Sequence, residues 1–138
     1  GPHQNIDGHA AVLVAFARRA LLGKPLELEN GGHQTRDFMF VEDAVDAYVR
    51  VMEKGKVLAG SIFNIGTGQE TSIREVAQTV ISVSKSSSEI VDVQGRPADL
   101  PSLCADASYI RAATGWVPTT PFEEGVRRTL EWVQAIDQ

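Results

Sequence analysis

Apolar positions recur along this chain with two periods, and the changes of period mark out its elements. Gly1 to Gly8 is rich in turn residues and reads as a loop. From Ala10 to Leu22, Val12, Phe16 and Ala20 fall four residues apart, and Leu13, Ala17 and Leu21 follow in step. That spacing predicts a helix with one apolar face. Arg18 and Arg19 near its end suit the helix dipole, and Gly23 supplies a stop. Leu26-Glu27-Leu28-Glu29 alternates and predicts a short strand, closed by a turn at Asn30-Gly31-Gly32. Phe38 to Val41 reads as a short extended piece. Asp43 is then placed to cap a helix that carries Ala44, Val45, Tyr48, Val49 and Met52 on one face and stops at Gly55. Ser61 to Ile65 is a compact apolar run, as expected of a strand buried on both sides.

The second half follows the same logic. Gly66-Thr67-Gly68 turns the chain, and Ser72-Ile73-Arg74-Glu75 has the spacing of a capping box. The helix it opens bears Val76, Ala77, Val80 and Ile81. Ser84 to Ser88 is a polar loop, and Glu89 to Val93 a further strand. Asp106 is placed to cap a short helix that ends at Gly115. Thr120-Pro121-Phe122-Glu123 combines a cap, a proline at the first position and an acid in the first turn, and opens a last helix with Phe122, Val126, Leu130 and Val133 inward. The pattern predicts one α/β domain over residues 1–138, helices in the majority, with three or four short strands.

Composition narrows the partners. With 138 residues, 43% of them hydrophobic and 22% charged, the chain has the profile of an ordinary globular domain. A formal charge of −5 argues against nucleic acid, which favours a basic face. A small anionic ligand is allowed where positive charge is concentrated. No apolar run approaches the roughly 20 residues of a membrane span. Cys104 is the single cysteine, which excludes an internal disulfide framework and fits a reducing, cytoplasmic setting. It is expected to be a small buried apolar residue.

Candidate chemistry gathers on two arginines. Arg36-Asp37-Phe38 runs through Phe40 to Val41-Glu42-Asp43, and sixty residues after Arg36 stands Arg96-Pro97-Ala98-Asp99. A guanidinium grips phosphate oxygens in a bidentate way, and carboxylates accept from sugar hydroxyls. The plainer reading pairs Arg36 with Asp37 or Asp43 and puts the aromatics in the core. Gly66-Thr67-Gly68 imitates a dinucleotide fingerprint, but Thr71 stands where a third glycine belongs, which favours a tight turn before a helix. His3, His9, His33 and Cys104 match no common zinc spacing, so no metal is expected. No serine sits in a nucleophile elbow, and neither tyrosine has a lysine four residues on.

Taken in order, Gly1-Pro2-His3-Gln4, Arg36-Asp37-Phe38, Val41-Glu42-Asp43, Phe63-Asn64-Ile65-Gly66-Thr67-Gly68, Arg96-Pro97-Ala98-Asp99-Leu100, Ala105-Asp106-Ala107-Ser108 and Gly115-Trp116-Val117-Pro118 resemble the C-terminal, substrate-binding part of the extended short-chain dehydrogenases. These are the NAD-dependent epimerases and dehydratases that act on nucleotide sugars. The resemblance implies that Arg36 and Arg96 contact a nucleotide diphosphate and that Asp99 contacts a ribose. It implies that Phe38 lies near the sugar nucleotide, that Ile73 lines the nucleotide pocket, and that Leu103 stands where epimerases can carry an aromatic. Ala15-Phe16-Ala17-Arg18 and Arg111 to Trp116 lean towards the GDP-mannose type. The glycine-rich cofactor loop and the Tyr-x-x-x-Lys pair of the family are not in this sequence. The resemblance therefore implies a C-terminal fragment, inactive and without bound cofactor by itself, from a parent that uses NAD or NADP. The alternative is a standalone nucleotide-binding or assembly module. Unpaired apolar strand edges are adhesive, so association of copies through the Ile62–Ile65 strand is also expected.

Overall fold

The computed structural model describes residues 1–5, 11–95 and 100–136. Among them are five α-helices and five short strands, an α/β arrangement with helices in the majority. Helix α1 spans Val12–Leu21 and buries Val14, Phe16, Ala17 and Ala20. Its buried stripe is rotated from the expected one, since Leu21 faces solvent. Gly23 follows its end with a φ of 64°, a conformation that glycine adopts without strain.

Strand β1 (Leu26–Glu29) alternates as its sequence predicts. Leu26 and Leu28 are fully buried, while Glu27 and Glu29 lie on the other face. It pairs in parallel with β4 (Ile90–Val93), Leu26 opposite Ile90. A second sheet is built of three two-residue strands. Strand β2 (Thr35–Arg36) is its centre, antiparallel to β3 (Thr71–Ser72) and parallel to β5 (Ser102–Leu103). Two-residue strands make few ladder bonds, so side chains reinforce this sheet. The Glu70 carboxylate accepts hydrogen bonds from Thr35 Oγ1 and Ser102 Oγ, joining β2 to β5.

Helix α3 (Ile73–Ser84) starts on the expected capping box. The Glu75 amide donates to Ser72 Oγ at 3.1 Å, and the Ser72 amide donates to Glu75 Oε2 at 2.8 Å. Helix α5 (Phe122–Ile136) starts where Pro121 predicts. Helices α1, α3 and α5 enclose the main core with β1, through Val14, Ala17, Leu28, Val76, Val80, Val126 and Val133. Each such valine or leucine contributes roughly 1.5–3 kcal/mol by leaving water. This core sets β1 and the first turn of α3 around β2, and so positions the candidate site.

A second cluster joins helix α2 (Val41–Lys54) to α4 (Ser108–Thr114) through Ala47, Ala107, Ile110 and Trp116. Three expectations fail here. Helix α2 begins at Val41, so Asp43 is not its cap; it is buried in the first turn. Its Oδ1 accepts from the Thr119 amide at 2.9 Å and its Oδ2 from the Thr120 amide at 3.1 Å. The predicted inward face of α2 faces water, with Val45 54%, Tyr48 67%, Val49 44% and Met52 76% exposed. Ala47 and Asp43 are turned inward instead, because the two threonine amides and Trp116 draw that side of the helix to the core. Finally, no strand forms at Ile62–Ile65, and Ile62 is 87% exposed. A strand needs a ladder partner, and none of the described strands lies beside it. Near α4 the cap position belongs to Ala107 and not to Asp106 as expected, although Asp106 Oδ1 does accept from the Ser108 amide at 2.9 Å. Gly115 ends the helix in a left-handed conformation.

Candidate functional site

Arg36 and Asp37 are neighbours in the chain with separate tasks. Asp37 Oδ1 accepts from the Thr67 amide at 2.9 Å and from Thr67 Oγ1 at 2.5 Å. Asp37 Oδ2 accepts from the amides of Gly68 at 3.0 Å and Ala105 at 3.3 Å. Partial burial pushes this carboxyl up, but the bonds from Thr67, Gly68 and Ala105 outweigh it and hold it below its ordinary value. Glycine at position 66 permits the close approach: a Cβ there would lie 2.5 Å from Asp37 Oδ2. The Gly66-Thr67-Gly68 turn thus turns its amides onto an anion supplied by the chain itself. A dinucleotide phosphate would need those donors, so this turn does not fit one.

Arg36 is fixed by its backbone surroundings. Its Nη1 donates to the carbonyls of Thr35 at 2.7 Å and Leu100 at 2.8 Å. Anchored in this way, the guanidinium loses little rotamer freedom on meeting an anion. It borders a cleft of about 260 Å³ whose apolar lining is Val12, Phe16 and Ile73 and whose polar lining is Glu27, Glu29 and Gln34. Ile73 is nearly buried at the first position of α3. Leu103 stands beside Arg36 across the β2–β5 ladder and is exposed.

Two larger clefts lie elsewhere. One of about 580 Å³ runs between Gly1-Pro2, Phe40 and Pro121-Phe122. The other, about 370 Å³, carries Thr67, Arg111 and Thr119. Phe38 lines both of these and not the Arg36 cleft. It is half-buried, with its ring 5.7 Å from that of Phe122, so the aromatics of this motif do serve the core. The structure therefore brings together Arg36, Ile73 and, by register, Leu103, and sets Phe38 apart. Arg96 and Asp99 lie outside the described residues.

Cys104 corrects another expectation, for it is exposed. Its Sγ lies 3.9 Å from Asp37 Oδ2. Desolvation, then the charges of Asp37 and Glu70, raise its pKa and keep it a thiol, which does not suit a nucleophile. Glu27 and Glu29 are the cleft residues that motif reading missed. Their alternation in β1 signals that they leave the core together, without signalling what they face.

Residues 1–129 match the model of the GDP-mannose 4,6 dehydratase family. The chain belongs to this family. It is one of the extended short-chain dehydrogenases, the NAD-dependent epimerases and dehydratases. The chain is 35% identical over 132 residues to UDP-glucose 4-epimerase of Mycolicibacterium smegmatis, covering 96% of this chain and 42% of that one. The structure matches UDP-glucose 4-epimerase of Thermotoga maritima, solved with UDP-glucose, with a TM-score of 0.92 at 30% identity, over 100% of this chain and 44% of that one. The Thermus thermophilus UDP-glucose 4-epimerase, solved with NAD, matches with a TM-score of 0.80 at 29% identity, over 97% and 43%. The chain therefore spans less than half the length of these relatives. No helix among the described residues is long and apolar enough to cross a membrane.

Proposed function

We propose that this chain is the nucleotide-sugar-binding portion of an NAD(P)-dependent epimerase, dehydratase or reductase, and that Arg36 binds the nucleotide diphosphate. One observation carries the reading: a cation tied to two backbone carbonyls at the edge of a cleft floored by Phe16 and Ile73. A fixed fork at an apolar slot suits a flat heterocycle joined to phosphates. That a relative of 0.92 TM-score was solved with UDP-glucose supports it. Arg96 and Asp99 would complete the grip on diphosphate and ribose, Leu103 would line the site beside Arg36, and Phe38 would face the sugar from a separate cleft.

NAD or NADP would be held by polypeptide beyond these 138 residues. The glycine turn at 66–68 donates its amides to Asp37, and no step of the reaction is assigned to this chain. The 138 residues by themselves are expected to lack activity.

Calorimetric titration of UDP, GDP and dTDP into the natural full-length protein tests the assignment. At least one should bind, and Arg36→Ala should weaken that binding tenfold or more. Equal binding by the variant would remove Arg36 from the site. The exposed face of α2 favours a second reading, an assembly module, and nucleotide binding by no diphosphate would leave that reading in its place.

A further inference from the structure

We infer that the cleft lined by Phe38 and Arg111 takes the sugar of the nucleotide sugar, and that Arg111 selects a sugar bearing a carboxylate. This rests on the diphosphate reading of Arg36 and adds the class of sugar. The cleft, of about 370 Å³, has the size of a small-molecule site. It shares no lining residue with the cleft at Arg36, yet the small sheet joins the two. Thr71 lines it and is the partner of Arg36 across the β2–β3 ladder. Residues directly opposite in an antiparallel pair stand on one face, with Cβ atoms roughly 4.5–5.5 Å apart. A diphosphate at Arg36, with its base in the slot at Ile73, can thus set its sugar beside Thr71.

The lining specifies that sugar. Phe38, Pro121 and Phe122 offer an apolar wall for the C–H face of a pyranose ring. Thr67 Oγ1 donates its proton to Asp37 at 2.5 Å, and Thr119 Oγ1 donates its own to Asp43 at 3.2 Å. Both oxygens can then only accept, so the ligand must bring hydroxyl donors. Arg111 adds charge. Among the described residues its one hydrogen bond runs from Nη2 to the Thr67 carbonyl at 3.0 Å, which leaves its other N–H donors for a ligand. Asp106 feels the charge of Arg111, but its Oδ1 accepts from the Ser108 amide and it does not line the cleft. Among the described residues no carboxylate lines the cleft, in a chain of net charge −5. A guanidinium fork matches the planar oxygens of a carboxylate and balances its single charge, whereas a phosphate brings nearly two. A neutral sugar would leave the fork to water.

The test is calorimetry on the natural full-length protein and on Arg111→Gln. Each neutral nucleotide sugar is compared with its uronate: UDP-glucose with UDP-glucuronate, GDP-mannose with GDP-mannuronate, and dTDP-glucose with dTDP-glucuronate. In at least one of the three series the uronate should bind about tenfold more tightly than the neutral sugar. In Arg111→Gln the affinity for that uronate should fall about tenfold, while the neutral sugar and the free diphosphate bind as before and the thermal melt matches the wild type. If the neutral sugar binds as tightly as the uronate in every series, or if the ratio is the same in Arg111→Gln, the acidic-sugar assignment is overturned while the diphosphate site stands. If no free diphosphate binds either, both fall. The wild-type ratio alone decides the matter where the variant does not fold.

Discussion

Asp37 sits beside a candidate ligand-binding arginine and yet works entirely within the fold. Its four hydrogen bonds from Thr67, Gly68 and Ala105 tie the 66–68 turn and the 104–105 segment to the end of β2. Because these bonds favour the charged form, the folded-state pKa lies below the unfolded one. A depressed carboxylate stabilises the fold fully above its unfolded pKa, near 4, and the contribution is lost as pH falls through the lower folded value. Asp37→Asn should therefore cost about 2 kcal/mol at neutral pH by chemical denaturation, since an amide accepts at only one of its two ends. The gap between wild type and variant should narrow as the pH drops below about 4. A variant as stable as the wild type at pH 7 would mean that the turn is held by something else. Arg36 makes the opposite comparison: its loss should act on ligand affinity more than on stability.

At the scale of the elements, local signals gave correct starts and stops. The capping box of α3 is the clearest, and Ser72→Ala should remove the bond that Ser72 Oγ accepts from the Glu75 amide while keeping the one its own amide donates to the Glu75 carboxylate, destabilising the fold by about 1 kcal/mol. Denaturation midpoints of wild type and variant measure this; equal midpoints would show the cap to be idle. The strand at Leu26–Glu29, the stop at Gly115 and the start of α5 were legible for the same reason, since each depends on residues within a few positions. What was not legible depends on distant partners. The amides that draw Asp43 inward belong to Thr119 and Thr120, more than seventy residues away. The run at Ile62–Ile65 has strand residues but no neighbouring strand to pair with. Periodicity located an apolar stripe on α2 without revealing whether anything would cover it. In the site, Arg36 and Ile73 could be named from their motifs, while Glu27 and Glu29 emerge only once β1 is folded against α1. Phe38 lines other clefts than the one at Arg36, its ring packed against Phe122 from the far end of the chain.

For the whole molecule, part of the exposed apolar surface is gathered in one place. Val45, Tyr48, Val49 and Met52 share one face of α2, and Ile62 follows on the segment after it. Next to them, Tyr48, Val51, Phe63, Ile65 and Ile110 line a shallow depression of about 240 Å³. Contiguous apolar surface of this kind usually marks a contact region. The strand edge expected at 62–65 does not form, so association through ladder hydrogen bonds loses its basis, whereas side-chain burial keeps its own. Each Å² of apolar surface withdrawn from water yields roughly 25 cal/mol, set against the entropy of bringing two bodies together. The isolated 138-residue chain should therefore associate weakly and reversibly through α2. Sedimentation velocity over a range of concentrations should show the mean mass rising with concentration. The double variant Tyr48→Glu, Met52→Glu should stay monomeric with an unchanged melting temperature, because both side chains are 67% exposed or more in the single chain. A wild type that remains monomeric at the highest concentrations, or a double variant that associates equally, would exclude the α2 face as an adhesive surface.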